Sequence, residues 1–326
     1  MQQFDDSRGT RVVAADDAGI AYAARELREG RLVAFPTETV YGLGANATDD
    51  SAVSAVFAAK ARPYFNPLIV HVLNLAQAAE FVEFNPAAEA LGHRFWPGGL
   101  SIVLPRRTAS RLSLLVSAGI DSVAIRSPAH PVARALIEGA GVPLAAPSAN
   151  RAGRISPTTA AACCEELGGR IPTILDGGPS AVGIESTIVG FKQGAATLLR
   201  LGAIPCEEIE RVIGKLDQTS ERSISAPGML PSHYAPRAML RLNATRVRHG
   251  EALLAFGAHP LPDSQQVCNL SPTGNLQEAA ANLFAMLRAL DASGAAVIAV
   301  MSIPNAGLGE AINDRLSRAA APREPR

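Results

Sequence analysis

Leu32 to Pro67 reads LVAFPTETVYGLGANATDDSAVSAVFAAKARPYFNP, and this stretch decides how the chain is understood. It opens apolar and β-like over Leu32–Phe35, and Pro36 ends that strand pattern. Hydroxyls and glycines follow, from Thr37 and Thr39 to Gly42 and Gly44. A helix is predicted over Ser51–Ala59, closing on Lys60 and Arg62 ahead of Pro63. A strand that passes through small and polar residues into a helix is a common support for a binding site. Two cations beside hydroxyls and bare backbone amides suit an anionic ligand such as a nucleotide phosphate.

Working outward, residues 1–10 read as a loose tail. Asp16 or Asp17 can cap a helix to about Glu29, with Ile20, Ala24 and Leu27 on one face. Downstream, strands are predicted over Leu68–Val72, Leu100–Leu104, Ser122–Arg126, Thr173–Asp176, Ser186–Val189 and Thr197–Leu201. A short apolar segment, Pro143–Ala146, runs into the polar Pro147–Asn150. Helices are predicted over Ala76–Phe84, Pro86–Phe95, Pro131–Gly139, Thr158–Leu167 and Cys206–Leu216. This mixture predicts an α/β fold, a twisted mixed sheet with flanking helices. Residues 217–237, DQTSERSISAPGMLPSHYAPR, are polar and proline-bearing and read as a linker. Beyond them, Ala252–Phe256, Asn275–Ala292, Ala295–Val300 and Gly309–Ala319 alternate strand and helix. The expected organisation is a first domain over residues 1–216, the linker, and a smaller α/β domain over 238–326.

The 326 residues suffice for two domains, and 48% hydrophobic content supplies ample core. Lys+Arg and Asp+Glu are both 30, so the basic excess that phosphate-driven nucleic-acid binding normally shows is missing. The four cysteines form no C-x-x-C and suit a reducing compartment. The N-terminus lacks an apolar run, and no window approaches a membrane span. The expectation is a soluble, cytoplasmic protein.

Several familiar motifs fail on inspection. Gly42-x-Gly44-x-x-Ala47 satisfies the loose dinucleotide pattern, but a proline and two threonines stand where a tight turn into a helix is needed. Gly178 and Gly183 have the glycine spacing of a P-loop, yet Ile184 and Glu185 follow where Lys and Ser/Thr are required. There is no H-E-x-x-H and no G-x-S-x-G, and a lone His71 on an apolar strand does not make a metal site. What remains is four loops of small residues, hydroxyls and cations: Pro36–Gly44, Lys60–Pro67, Pro147–Ser156 and Gly183–Thr187. Two predicted strands end in or just past an arginine, Arg126 and Arg200. Converging arginines among hydroxyls suit a carboxylate together with a polyphosphate.

The segments FPTETVYGLG, KARPYFNPLIVH, WPGGLSIVL, AIRSPAHP, AAPSANRAG, DGGPSAVGIESTIV and LLRLGAI resemble, in order, the YrdC-like threonylcarbamoyl-AMP synthases. APGMLPSHYAPR resembles the linker of the long form, which carries an extra C-terminal domain. The resemblance spans about residues 16–240 and implies a YrdC-like fold, with a Rossmann-like C-terminal domain matched only by position and strand-helix pattern. It implies the conversion of L-threonine, bicarbonate and ATP to L-threonylcarbamoyl-AMP and pyrophosphate. That product feeds modification of the adenosine next to the anticodon in tRNAs reading ANN codons, through hand-over to a tRNA threonylcarbamoyl transferase complex. Residue by residue, it implies that Lys60 and Arg62 act on the triphosphate as the catalytic cations. Threonine would meet Thr37, His71, Arg126, Ala146 and Ser186. ATP would meet Lys60, Arg62, Tyr64, Ser122, Ser148, Asn150, Ser156, Arg200 and Tyr234. Magnesium would ride on the ATP phosphates, with no protein metal site and no organic cofactor.

Plainer readings stand beside these. Lys60 and Arg62 could form a solvated helix end, Arg126 a structural ion pair, and Thr37, Asn150 and Ser186 turn or cap groups. Tyr234 could be an ordinary linker residue or part of a lid. Tyr64 and Phe65 make the loop more aromatic than it needs to be. Two rival functions predict different things. A non-catalytic double-stranded RNA-binding module would need a basic surface. A carbamoyltransferase of the hydrogenase-maturation type would carry acylphosphatase-like and zinc-finger segments.

Overall fold

A computed structural model describes residues 4–5, 9–192, 194–218 and 234–322, and the chain divides into two compact units. The first comprises Met1–Ala152, Pro157–Ser180 and Glu185–Met229, and the second Gly153–Ser156, Ala181–Ile184 and Leu230–Arg326. The division is therefore not one cut: two short loops from the N-terminal part of the sequence belong to the C-terminal unit. Most of the predicted 217–237 linker lies outside the described residues. No described helix is long and apolar enough to cross a membrane.

In the first unit the strands are β1 (Phe4–Asp5), β2 (Arg11–Ala14), β3 (Val33–Phe35), β4 (Gly42–Asn46), β5 (Ile69–His71), β6 (Leu100–Pro105), β7 (Ser122–Arg126), β8 (Leu144–Ala145), β9 (Thr173–Asp176), β10 (Thr187–Lys192), β11 (Ala195–Arg200) and β12 (Asp217–Gln218). The helices are α1 (Asp17–Arg28), α2 (Asp50–Lys60), α3 (Leu75–Ala78), α4 (Pro86–Phe95), α5 (Pro131–Ala140), α6 (Ala160–Leu167) and α7 (Cys206–Ile213). Among the described residues these strands form one mixed, 12-stranded sheet in the order β1-β2-β9-β3-β4-β8-β5-β7-β6-β10-β11-β12. The helices are capped as their sequences dictate. Asp16 accepts from the Gly19 amide at the start of α1, and Asp49 accepts from the amides of Ser51 and Ala52 at α2. A large core of fully buried side chains, including Leu43, Val53, Leu68, Leu100 and Ile125, packs against this sheet.

Three local expectations need correction. The glycine-rich segment after Pro36 does not stay a loop: Gly42–Asn46 is a strand, paired antiparallel with both β3 and β8. Its glycines are a packing requirement, since a Cβ on Gly44 would stand 2.8 Å from the Phe35 ring. The helix expected over Ala76–Phe84 ends at Ala78, because Val82 bridges Arg106 and the Glu83 amide donates to the Pro105 carbonyl. α7 stops at Ile213, where Gly214 takes a positive φ of 82°.

The second unit holds a separate parallel sheet of β13 (Met239–Arg241), β14 (Ala252–Ala255), β15 (Val267–Asn269) and β16 (Val297–Val300), in the order β13-β16-β14-β15. Its helices are α8 (Leu276–Ala292) and α9 (Leu308–Ala320). β14 and β16 are near-continuous apolar strands, the pattern of a buried parallel sheet.

Candidate active site

α2 delivers the first cluster. Its last residue is Lys60, and Ala61 in the left-handed conformation (φ 49°) turns the chain so that Arg62 donates its amide back to the Phe57 carbonyl, 2.9 Å away. Lys60 is 1% exposed, so it is not a solvated helix end. Its ammonium donates to the carbonyls of Ser148 and Asn150, and its own carbonyl accepts from the Ala152 amide at 2.9 Å. No carboxylate is ion-paired to it among the described residues. Burial, reinforced by the nearby Arg62 charge, holds the ammonium well below the usual lysine range. Arg62 is wrapped by its own loop, with Nε donating to the Asn66 carbonyl (3.1 Å) and Nη2 to the Pro67 carbonyl (2.8 Å). Two cations meet at this end of the site, and the Glu166 charge opposes part of the fall in the Lys60 pKa.

A second cluster gathers around Arg126, the last residue of β7. The guanidinium spreads three ways: Nη2 to Glu38 Oε1 at 2.5 Å, Nη1 to Thr39 Oγ1 at 2.9 Å, and Nε to the Gly98 carbonyl at 3.0 Å. The second Glu38 oxygen accepts from the backbone amides of Ala129 and His130. Burial pushes the Glu38 carboxyl up, but Arg126 and these amides together outweigh it and leave it below the usual carboxylate range. Thr37 Oγ1 donates to the Val40 carbonyl at 2.6 Å and lies 2.8 Å from Thr39 Oγ1. Ser186 Oγ lies 2.8 Å from Ser101 Oγ and accepts from Arg200 Nη2 at 3.0 Å, while Arg200 also grips the Ser186 carbonyl through Nε and Nη2. His71, opposite Arg126 in the β5–β7 register, is buried edge-on to Phe35 with Nδ1 3.3 Å from the Ile69 carbonyl. Burial first, and then the Arg126 charge, pushes its pKa down to about 3, so it is neutral at physiological pH. Ala146 donates its amide to the Ile69 carbonyl at 2.9 Å.

The β5–β7 pairing carries residues of both clusters. His71 and Arg126 are partners at the carboxyl end. Two residues back from the Ile69–Ala124 pair stand Pro67, gripped by Arg62, and Ser122. Pro67 lies just ahead of β5, so Arg62 grips the chain entering the strand whose last residue, His71, faces Arg126. Gly42 bridges Ser148.

Not every expected residue lies within these clusters. Tyr64 is 53% exposed and lies on α2, stacked on Phe57 at 4.8 Å with its hydroxyl 3.3 Å from Ser54 Oγ. Ser156 and Tyr234 belong to the second unit. Tyr234 is buried there at a positive φ of 63°, stacked on Phe284 at 5.5 Å with the Arg315 guanidinium 5.2 Å from its ring centre. Other residues escaped the sequence reading. Glu38 and Thr39, both inside FPTETVYGLG, hold Arg126, and a single carboxylate among hydroxyls was the available signal. Asn66 is 2% exposed and its Oδ1 has no hydrogen-bond partner among the described residues, a detail that no sequence pattern marks.

The fold and site define a two-unit α/β protein whose first unit carries a buried lysine and arginine pair at the end of α2 and an arginine ion-paired to Glu38 at the end of β7. Residues 25–202 match the Sua5/YciO/YrdC family, described as "Telomere recombination", and residues 204–321 match the threonylcarbamoyl-AMP synthase C-terminal domain. The chain is 41% identical to the threonylcarbamoyl-AMP synthase of Pyrococcus abyssi over 92% of its length and 94% of the relative's. It is likewise 41% identical to that of Bacillus subtilis, over 95% of both chains. The crystal structure of P. abyssi Sua5 complexed with L-threonine superposes with a TM-score of 0.87 at 39% identity, covering 95% of this chain and 97% of the other. The chain belongs to the threonylcarbamoyl-AMP synthase family, a family of nucleotidyltransferase-type enzymes.

Proposed function

We propose that this chain condenses L-threonine, bicarbonate and ATP into L-threonylcarbamoyl-AMP with release of pyrophosphate. One observation carries the reading: the buried Lys60 ammonium is held by backbone carbonyls beside Arg62, with no ion-paired carboxylate among the described residues, whereas the Arg126 guanidinium is ion-paired to Glu38. The unbalanced end, Lys60 and Arg62 with Ser122, Ser148, Asn150 and the buried Asn66, suits the polyphosphate and nucleotide. The balanced end, Arg126–Glu38 with Thr37, His71, Ala146 and Ser186, suits a zwitterion such as free threonine. There Arg126 meets the carboxylate, and Arg200 steadies Ser186. Ser156, Tyr234 and Tyr64 stay assigned to ATP on the family resemblance alone.

In the reaction bicarbonate takes up a proton and loses water to give carbon dioxide, and the threonine amine, as the free base, attacks its carbon, forming an N–C bond and releasing a proton. An oxygen of the resulting carbamate attacks the α-phosphorus, the bond to the bridging oxygen breaks, and pyrophosphate leaves with that oxygen and its electrons. Lys60 and Arg62 offset charge building on the leaving group, the main demand of such a displacement. Neutral His71 adds no competing charge beside Arg126. Magnesium arrives on the phosphate oxygens and helps neutralise them. Among the described residues no group of three His, Cys, Asp or Glu side chains is arranged to hold a metal. The product serves tRNA modification in the cytoplasm, by transfer to a threonylcarbamoyl transferase.

The test is pyrophosphate release from purified protein with magnesium-ATP, leaving out threonine or bicarbonate in turn. Release that needs both supports the condensation. Release indifferent to either, or none at all, rejects it.

A further inference from the structure

The parallel sheet of the second unit has a ligand-sized cavity of its own. Ligands of open parallel sheets sit outside the carboxyl ends of the strands, between neighbours whose onward connections leave in opposite directions. β13 and β16 are such neighbours. The chain leaving β13 passes beyond β16 to β14, whereas the chain leaving β16 enters α9, which packs back on β13. At their carboxyl ends lies a cavity of about 270 Å³. Its sides are apolar, from Val300, Met301 and Leu316. No charged side chain lines it, so it offers nothing to balance a phosphate or a carboxylate.

Its polar groups are carboxamides held in fixed orientations. Asn313 Nδ2 donates to the Ile303 carbonyl at 3.2 Å. A carbonyl only accepts, so Asn313 Oδ1 is the amide atom left to accept from a ligand. The same Nδ2 lies 3.2 Å from Asn305 Oδ1, which orients Asn305 with its own Nδ2 left to donate. A third carboxamide, Asn243, sits at a positive φ of 53° with Oδ1 accepting from Ser302 Oγ at 3.3 Å. The wall thus presents an acceptor and a donor side by side, between aliphatic faces and without charge. Nucleobase edges pair with carboxamides through this two-point pattern, and their flat faces suit aliphatic walls.

We propose that this crevice binds a neutral nucleobase, carried either by a free nucleoside or by an unstacked position of single-stranded RNA. The base lies between Val300, Met301 and Leu316 and is read by Asn305 and Asn313. The site is wholly within the second unit and does not depend on the condensation chemistry of the first.

Met301 provides a probe inside the cavity. The full-length protein, carbon-13 labelled at its methionine methyls, is titrated with each of the four common ribonucleosides and with short single-stranded oligoribonucleotides. The Met301 signal is identified by its loss in Met301→Leu. The expected result is a saturable shift of that signal with at least one nucleoside. Ser317→Trp, at an exposed position on the cavity wall, fills the space and abolishes the shift, and Asn313→Leu weakens binding about tenfold. Saturation by the oligonucleotide at lower concentration than by its nucleoside assigns an RNA base, and saturation at the same concentration assigns a free nucleoside. A Met301 signal unmoved by every ligand at millimolar concentration overturns the proposal, as does a shift that survives unchanged in Ser317→Trp.

Discussion

Lys60 and Arg126 are both buried cations at the ends of regular elements, and they are solved in opposite ways. Arg126 has a carboxylate partner, a hydroxyl and a carbonyl, so its charge is balanced before any ligand arrives. Lys60 donates to backbone carbonyls and has no ion-paired carboxylate among the described residues; the Arg62 charge lowers its pKa, and Glu166 only partly opposes this. A balanced pair costs little to keep buried and discriminates by geometry. An unbalanced buried ammonium costs stability, and an incoming anion relieves that cost. On the proposed function, the difference makes one end orient the substrate and the other stabilise charge.

Removing the unbalanced charge should do the most damage to turnover. Lys60→Met keeps the buried volume but deletes the ammonium, and pyrophosphate release should fall by about 10²–10³-fold. Protein stability should hold or rise. Turnover within tenfold of the parent enzyme would break the contrast. Arg126→Ala acts differently, because it strands Glu38. Unfolding by denaturant should show a loss of about 3–5 kcal/mol, together with a rise in KM for threonine. Adding Glu38→Ala should restore much of the stability and none of the threonine affinity. Recovery of both would make the pair purely structural.

His71 sharpens the balanced end through pH. Its folded pKa of about 3 lies below the ordinary histidine value of 6.5, so below 6.5 the unfolded chain binds a proton that the folded protein does not. Its contribution to stability is therefore intact above pH 6.5 and is lost as pH falls towards 3, at up to about 1.4 kcal/mol per pH unit. Denaturant midpoints between pH 6.5 and 4 should fall less steeply in His71→Leu. Parallel slopes would show that His71 does not titrate as the buried neutral ring described. The smallest effect belongs to Tyr64→Ala, which should alter KM for ATP by less than about threefold and stability by under about 1 kcal/mol. A larger KM effect would move Tyr64 from the periphery into the nucleotide site.

How much of this was legible in advance differs from element to element. α1, α4 and α5 carry period and caps in their own residues, and α4 and α5 also N-terminal prolines, so they appeared nearly to the residue. β4 did not, because Gly42–Asn46 has no strand propensity and is extended only through pairing on both edges. Lys60, Arg62 and Arg126 could be named from composition and spacing. Their partners could not, because Glu38 lies 88 positions from Arg126, and Ser148 the same distance from Lys60.

By itself the sequence determined the α/β class, the second small domain, the family resemblance and the residue types needed for anion and carboxylate recognition. These are written in local periodicity and contiguous motifs, which survive without knowledge of what packs where. Only the tertiary structure decided that Arg126 is ion-paired to Glu38 while Lys60 is held by backbone carbonyls, and that the loops at Gly153–Ser156 and Ala181–Ile184 belong to the second unit. Those properties depend on burial and on pairings between distant residues. Charge in a protein interior takes its meaning from its surroundings rather than from its place in the chain.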